Sequence, residues 1–115
     1  MLYDVFLPEF FKRIVKDLEK KYPNVKADLK TALQVVENNP ELGKSFQGWG
    51  DVKKLRVQNS DVRKGKRGGY RLIYLVDHAE RRIIPLVLYS KSHKSDVTAK
   101  ELRMLLGRLD QELSD

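Results

Sequence analysis

Residues 52–77 read VKKLRVQNSDVRKGKRGGYRLIYLVD, and the fold turns on them. Residues 52–57 alternate, with Leu55 and Val57 on one side and Lys54 and Arg56 on the other, the period of a half-buried strand. Residues 58–69 are rich in glycine and charge and form a connection. Residues 70–77 are dense in β-formers on both sides, with Tyr70, Leu72, Tyr74 and Val76 against Arg71, Ile73 and Leu75. That pattern predicts a central strand covered on both faces. The unit is a hairpin that displays cations, since residues 52–71 carry eight Lys or Arg against one acid, Asp61. Arg71 is the odd residue on its apolar side, where a guanidinium has to be paired or to open onto a cleft.

Downstream, residues 82–89 (RIIPLVLY) predict a further strand, in which Pro85 lacks a ladder donor and implies an edge position or a bulge. Thr98 and Glu101 form a capping box, Val97 and Leu102 a hydrophobic staple, and Leu102, Leu105, Leu106, Leu109 and Leu113 a buried helical stripe. Upstream, residues 2–7 suit a short edge strand. Pro8 and Glu9 open a helix with Phe11, Ile14, Val15, Leu18 and Tyr22 on one face. After a break at residues 22–24, Leu29, Ala32, Leu33 and Val36 repeat the spacing until residues 38–40 stop it, giving a helical hairpin. Residues 43–50 (GKSFQGWG) read as a glycine-punctuated loop whose Trp49 plugs a core edge rather than stacking on a base. The expected fold is α+β: two N-terminal helices, a small mainly antiparallel sheet of about four strands and a C-terminal helix. One domain is expected across residues 1–115.

Composition narrows the chemistry. There is no cysteine, and His78 and His93 are the only histidines, so neither thiolate chemistry nor a protein-built metal site is expected. No apolar run approaches the roughly 20 residues that span a bilayer, and the N-terminus lacks the pattern of a signal peptide, so a cytoplasmic protein without a membrane partner is expected. The net charge of +7 is uneven: residues 1–50 hold eight Lys or Arg against seven Asp or Glu, and residues 51–115 hold fifteen against nine. The basic half favours an anionic partner, nucleic acid or an acidic protein.

There is no nucleophile elbow, and the glycine loop at residues 63–69 lacks Walker spacing and precedes a strand. What remains is a set of cations on or beside adjacent strands: Lys54, Arg56, Arg71, Lys91 and Lys94. Such a set suits RNA cleavage with no cofactor. Attack by a ribose 2′-OH on the neighbouring phosphate builds charge on its equatorial oxygens, which preorganised cations stabilise most in the transition state. The same residues also suit simple phosphate positioning, or no more than a solvated face. His93 has the chemistry of an acid–base group but the position of a surface imidazole.

The runs NPELGKSFQGWGDVKKLRV, KGKRGGYRLIYLVD and PLVLYSKSHKSDVTAKELRMLL resemble the RelE/ParE superfamily of type II toxins, and are most similar to its HigB-like branch. The resemblance implies a RelE-like fold, a cognate antitoxin as partner, and a metal-independent endonuclease that cuts mRNA in the ribosomal A site, with the ribosome, its mRNA and its ribosomal RNA as further partners. It implies Lys54, Arg56, Arg71, Lys91 and Lys94 as catalytic residues. Lys64, Lys66, Arg67, Tyr89 and His93 fall to RNA binding. One departure is that the base-stacking tyrosine of RelE falls at Thr98, already explained as a helix cap. Two other readings stay open, a ParE-like inhibitor of DNA gyrase and a non-catalytic nucleic-acid-binding module.

Overall fold

The computed structural model describes residues 3–46, 48–62, 69–94 and 96–114. Its elements run β1 (Asp4–Val5), α1 (Glu9–Glu19), α2 (Val25–Asn38), β2 (Lys44–Phe46), β3 (Trp49–Val57), β4 (Tyr70–Asp77), β5 (Arg82–Ser90) and α3 (Ala99–Ser114). The strands form one five-stranded sheet in the order β1-β5-β4-β3-β2, antiparallel except for β1, which pairs parallel with β5.

The α+β expectation holds, with one strand more than expected. Residues 44–46, expected as loop, are β2, and β3 begins at Trp49 rather than at residue 52. The glycines around β2 hid it, yet one of them has a packing role. A Cβ on Gly43 would sit 2.9 Å from Lys53 Cβ and 2.9 Å from the Tyr74 hydroxyl, so only glycine lets the chain run this close to β3 and β4. Trp49 packs partly buried against the core. Pro85 marks a bulge: Ile73 pairs with Val87 and Tyr74 with Pro85, so Leu86 is the extra residue of β5, which lies inside the sheet and not at its edge.

β4 is the centre of the core, with Tyr70, Leu72, Ile73 and Tyr74 inaccessible on both of its faces. The α1–α2 hairpin covers the face of Tyr70 and Tyr74: Tyr22 meets Tyr70 edge to face at 5.6 Å, and the Tyr74 hydroxyl donates to the Pro40 carbonyl just past α2. The C-terminal end of α3 reaches the start of α1. Its Glu112 accepts from the Glu9 and Phe10 N–H groups at 2.8 and 3.2 Å, supplying the free N-terminal donors of α1 with an anionic cap. The predicted capping box is present, with Glu101 N–H on Thr98 Oγ1 and Thr98 N–H on Glu101 Oε1. The predicted stripe thins at its end, where Leu113 is exposed. No described helix is long and apolar enough to cross a membrane.

Candidate functional site

Register places the cations. Across β2, β3 and β4, Lys44 stands opposite Lys54, and Lys54 opposite Ile73; one step along, Arg56 stands opposite Arg71, and Arg71 opposite Tyr89 of β5. Directly paired residues share a face, so Lys44, Lys54, Arg56, Arg71 and Tyr89 line the sheet face turned away from α1 and α2. Lys53 alternates to the other face. There it is 6% exposed, donating to Glu41 Oε1 at 2.7 Å and to Ser45 Oγ at 3.0 Å.

The two arginines pose an electrostatic problem. Like charges directly opposite on neighbouring strands are destabilising, and among the described residues no carboxylate lies within ion-pairing distance of Arg56 or Arg71. Lys54 does have a partner: its ammonium donates to Asp96 Oδ2 at 3.1 Å and Oδ1 at 3.3 Å while lying 5.6 Å from the centre of the Phe46 ring. Asp96 also accepts from the Tyr89 hydroxyl at 3.2 Å and the Val97 N–H at 2.8 Å. Burial opposes ionisation of Asp96, but the Val97 N–H, Lys54 and Tyr89 together outweigh it and hold its carboxyl below the usual range. Burial, reinforced by Asp96, pushes the Tyr89 phenol up to about 12, so it is a hydrogen-bond donor here. Among the described residues no cluster of His, Asp or Glu is arranged to hold a metal ion.

A family model, the ParE toxin of type II toxin–antitoxin systems of the parDE kind, matches residues 8–92. The chain belongs to this toxin family. Solved structures of toxins share its fold. A mutant Escherichia coli RelE in the free state has a TM-score of 0.58 at 23% identity, covering 83% of this chain and 90% of that one. RelE in the intact E. coli RelBE toxin–antitoxin complex has 0.54 at 25%, covering 76% and 94%. The archaeal RelE of a Pyrococcus horikoshii RelE–RelB complex has 0.53 at 21%, covering 82% and 100%.

In this toxin the predicted site residues are only partly brought together. Lys54, Arg56, Arg71 and Tyr89 share one face. Lys91 is exposed just past β5, its N–H donating to the Gly69 carbonyl at 3.2 Å. Lys94 is engaged elsewhere, at 2.7 Å from Glu101 Oε2 of the capping box, and that contact, followed by the Thr98 N–H, lowers the Glu101 carboxyl. His93 is engaged elsewhere, its Nε2 2.6 Å from the Lys21 ammonium. Lys64, Lys66 and Arg67 lie outside the described residues.

Three members of the face were missed by sequence reasoning. Lys44 and Phe46 were hidden with β2. Asp96 left a signal, as the one carboxylate between residues 81 and 100 in a run of cations, but nothing local says that it reaches back to β3.

Proposed function

We propose that this toxin is a ribosome-dependent mRNA endonuclease that inhibits translation. The observation that supports it best is the Arg56–Arg71 pair: two guanidiniums held opposite each other by strand register, without a described carboxylate in reach, and flanked by Lys44 and Lys54. A phosphate between them removes the repulsion and gains charge-assisted, bidentate hydrogen bonds. In the reaction the ribose 2′-oxygen bonds to phosphorus and the bond to the 5′-oxygen breaks. The 2′-OH proton goes to a base, the 5′-oxygen takes a proton from an acid, and a 2′,3′-cyclic phosphate and a 5′-OH result. Arg71 and Arg56 stabilise the charge on the equatorial oxygens. Lys54, donating to Asp96, serves as an electrostatic group or acid rather than as the base. Lys91 extends the set past β5, and Lys64, Lys66 and Arg67 dock on ribosomal RNA.

In this reading the toxin is of the HigB-like branch, which the resemblance of the GKRGGYR and YSKSHKSDVT runs supports. Its partner is a cognate antitoxin, as RelB is for RelE in the structurally similar complexes. The test is to induce the toxin without antitoxin and map transcript ends. New 3′ ends inside translated codons, lost in Arg71→Ala, are expected, and growth arrest with intact transcripts overturns the reading. One observation favours a second reading, that the matching family model is that of ParE. A gyrase inhibitor would give a DNA-damage response with unbroken mRNA.

A further inference from the structure

We infer that Asp96 is the positioning residue of the site, a carboxylate that ties β3 to β5 across β4 and thereby sets Lys54 beside Arg71. This rests on the endonuclease reading and assigns a role within it.

Three facts carry the inference. Asp96 contacts Lys54 of β3 through both carboxylate oxygens and Tyr89 of β5 through one, and Tyr89 is the direct strand partner of Arg71 on β4 between them. One side chain therefore spans the strands that carry the cations. Asp96 is itself fixed: its Oδ1 accepts from the Val97 N–H, the Val97 side chain is buried, and the chain then enters the Thr98–Glu101 capping box, to which Lys94 is also tied. Finally, the cation that Asp96 touches is a lysine, Lys54, whose ammonium also lies over the Phe46 ring. A lysine ammonium is a point charge on a flexible four-carbon stem, less pre-organised for each hydrogen bond than an arginine fork. The anchor sits on a group that needs orienting.

An opposite role is conceivable on the same contacts: a plug, occupying the place of the phosphate and neutralising Lys54 until RNA displaces it. The two roles predict opposite signs. A positioning carboxylate raises turnover, whereas a plug lowers affinity. Geometry favours positioning, because Asp96 meets Lys54 and Tyr89 and leaves Arg56 and Arg71 without a described carboxylate. A plug would sit on the arginines.

The test is Asp96→Asn in single-turnover cleavage on programmed ribosomes, alone and combined with Lys54→Ala, with a phenol titration of each protein against its Tyr89→Phe counterpart. The expected result is a fall in kcat of about tenfold to a hundredfold with KM nearly unchanged. The fall should be absent in the Lys54→Ala background, and the Tyr89 titration should move down from about 12. Unchanged or increased kcat, a fall in kcat that persists without Lys54, or an unmoved Tyr89 titration overturns the inference. Should Asp96→Asn fail to fold, Asp96→Ser keeps an acceptor for the Val97 N–H and carries the same expectations. If the wild type cleaves nothing, the endonuclease reading falls, while the Tyr89 titration still decides whether Asp96 holds this end of the network.

Discussion

Lys53 and Lys54 are neighbours in the chain and opposites in the molecule. Lys53 points to the helical face, where it is buried against Glu41 and Ser45 and closes the junction of α2, β2 and β3. Lys54 points to the other face, into a row with Lys44 and beside the opposed Arg56 and Arg71. A buried cation with its carboxylate and hydroxyl in place belongs to the fold. Arg56 and Arg71, held opposite each other with no described carboxylate in reach, lower stability, and what they are suited to is an external anion. Charge density along the sequence treats the two residues alike. Strand alternation separates them, and so do their surroundings: Lys53 is buried with Glu41 and Ser45, whereas Lys54, though it meets Asp96, is more exposed and stands beside two arginines with no described carboxylate in reach.

The contrast breaks most sharply at Arg71. Arg71→Ala is expected to reduce cleavage by about a hundredfold to a thousandfold while leaving the thermal midpoint unchanged or slightly higher, since it relieves the Arg56 repulsion, a term of roughly 0.2–1 kcal/mol. Transcript-end mapping and calorimetry on the same protein check both halves. A large loss of stability would mean that Arg71 is structural like Lys53. Glu41→Gln should do the reverse, with cleavage retained and stability lowered by about 1–2 kcal/mol. That is less than the roughly 3–5 kcal/mol of a fully buried pair, because the Glu41 side chain stays 55% exposed. Denaturant unfolding measures it, and retained stability would remove the distinction drawn between the two lysines.

How much of this the sequence made legible follows from the range of each interaction. β4 was readable because its β-formers fill both faces, and the entry to α3 because Thr98 and Glu101 satisfy each other across three residues. The common side of Lys54 and Arg56 was readable from alternation, but that Arg71 joins them follows from the β3–β4 register, which alternation does not set. β2 was not, since it is three residues long and is held by pairing with β3 rather than by any pattern of its own. Nor was the buried role of Lys53, which follows from Glu41 and a glycine at position 43 that admits the close approach. The Asp96–Lys54 contact joins residues 42 apart, beyond any local signal.

Acid should weaken both faces for the same electrostatic reason. The carboxyls of Glu41, Asp96 and Glu101 are held below their ordinary values of 4.5, 3.8 and 4.5. A carboxyl lowered in the folded state contributes stability that is fully present above its unfolded value and is lost as pH falls through the folded one. Stability is therefore expected to be flat above about pH 5 and to decline below about pH 4.5. Glu41→Gln should make that decline shallower.

The smallest effect sharpens the comparison within the cationic face itself. Lys44 is exposed on the edge strand β2, opposite Lys54, so it can neutralise a phosphate but is not aimed by any described side chain. A lysine of that kind contributes through counterion release, and removing it should lower the salt slope of single-stranded RNA binding by roughly 0.7. Lys44→Gln is accordingly expected to weaken RNA binding at low salt, to matter little at high salt, and to leave kcat at saturating RNA unchanged. Lys54→Gln should lower kcat at every salt concentration, because its charge acts at one atom of the transition state rather than on the ion atmosphere. Binding and single-turnover rates measured across a salt series separate the two. If Lys44 and Lys54 respond alike, the face is an undivided basic patch, and the order imposed by Asp96 has no consequence for the reaction.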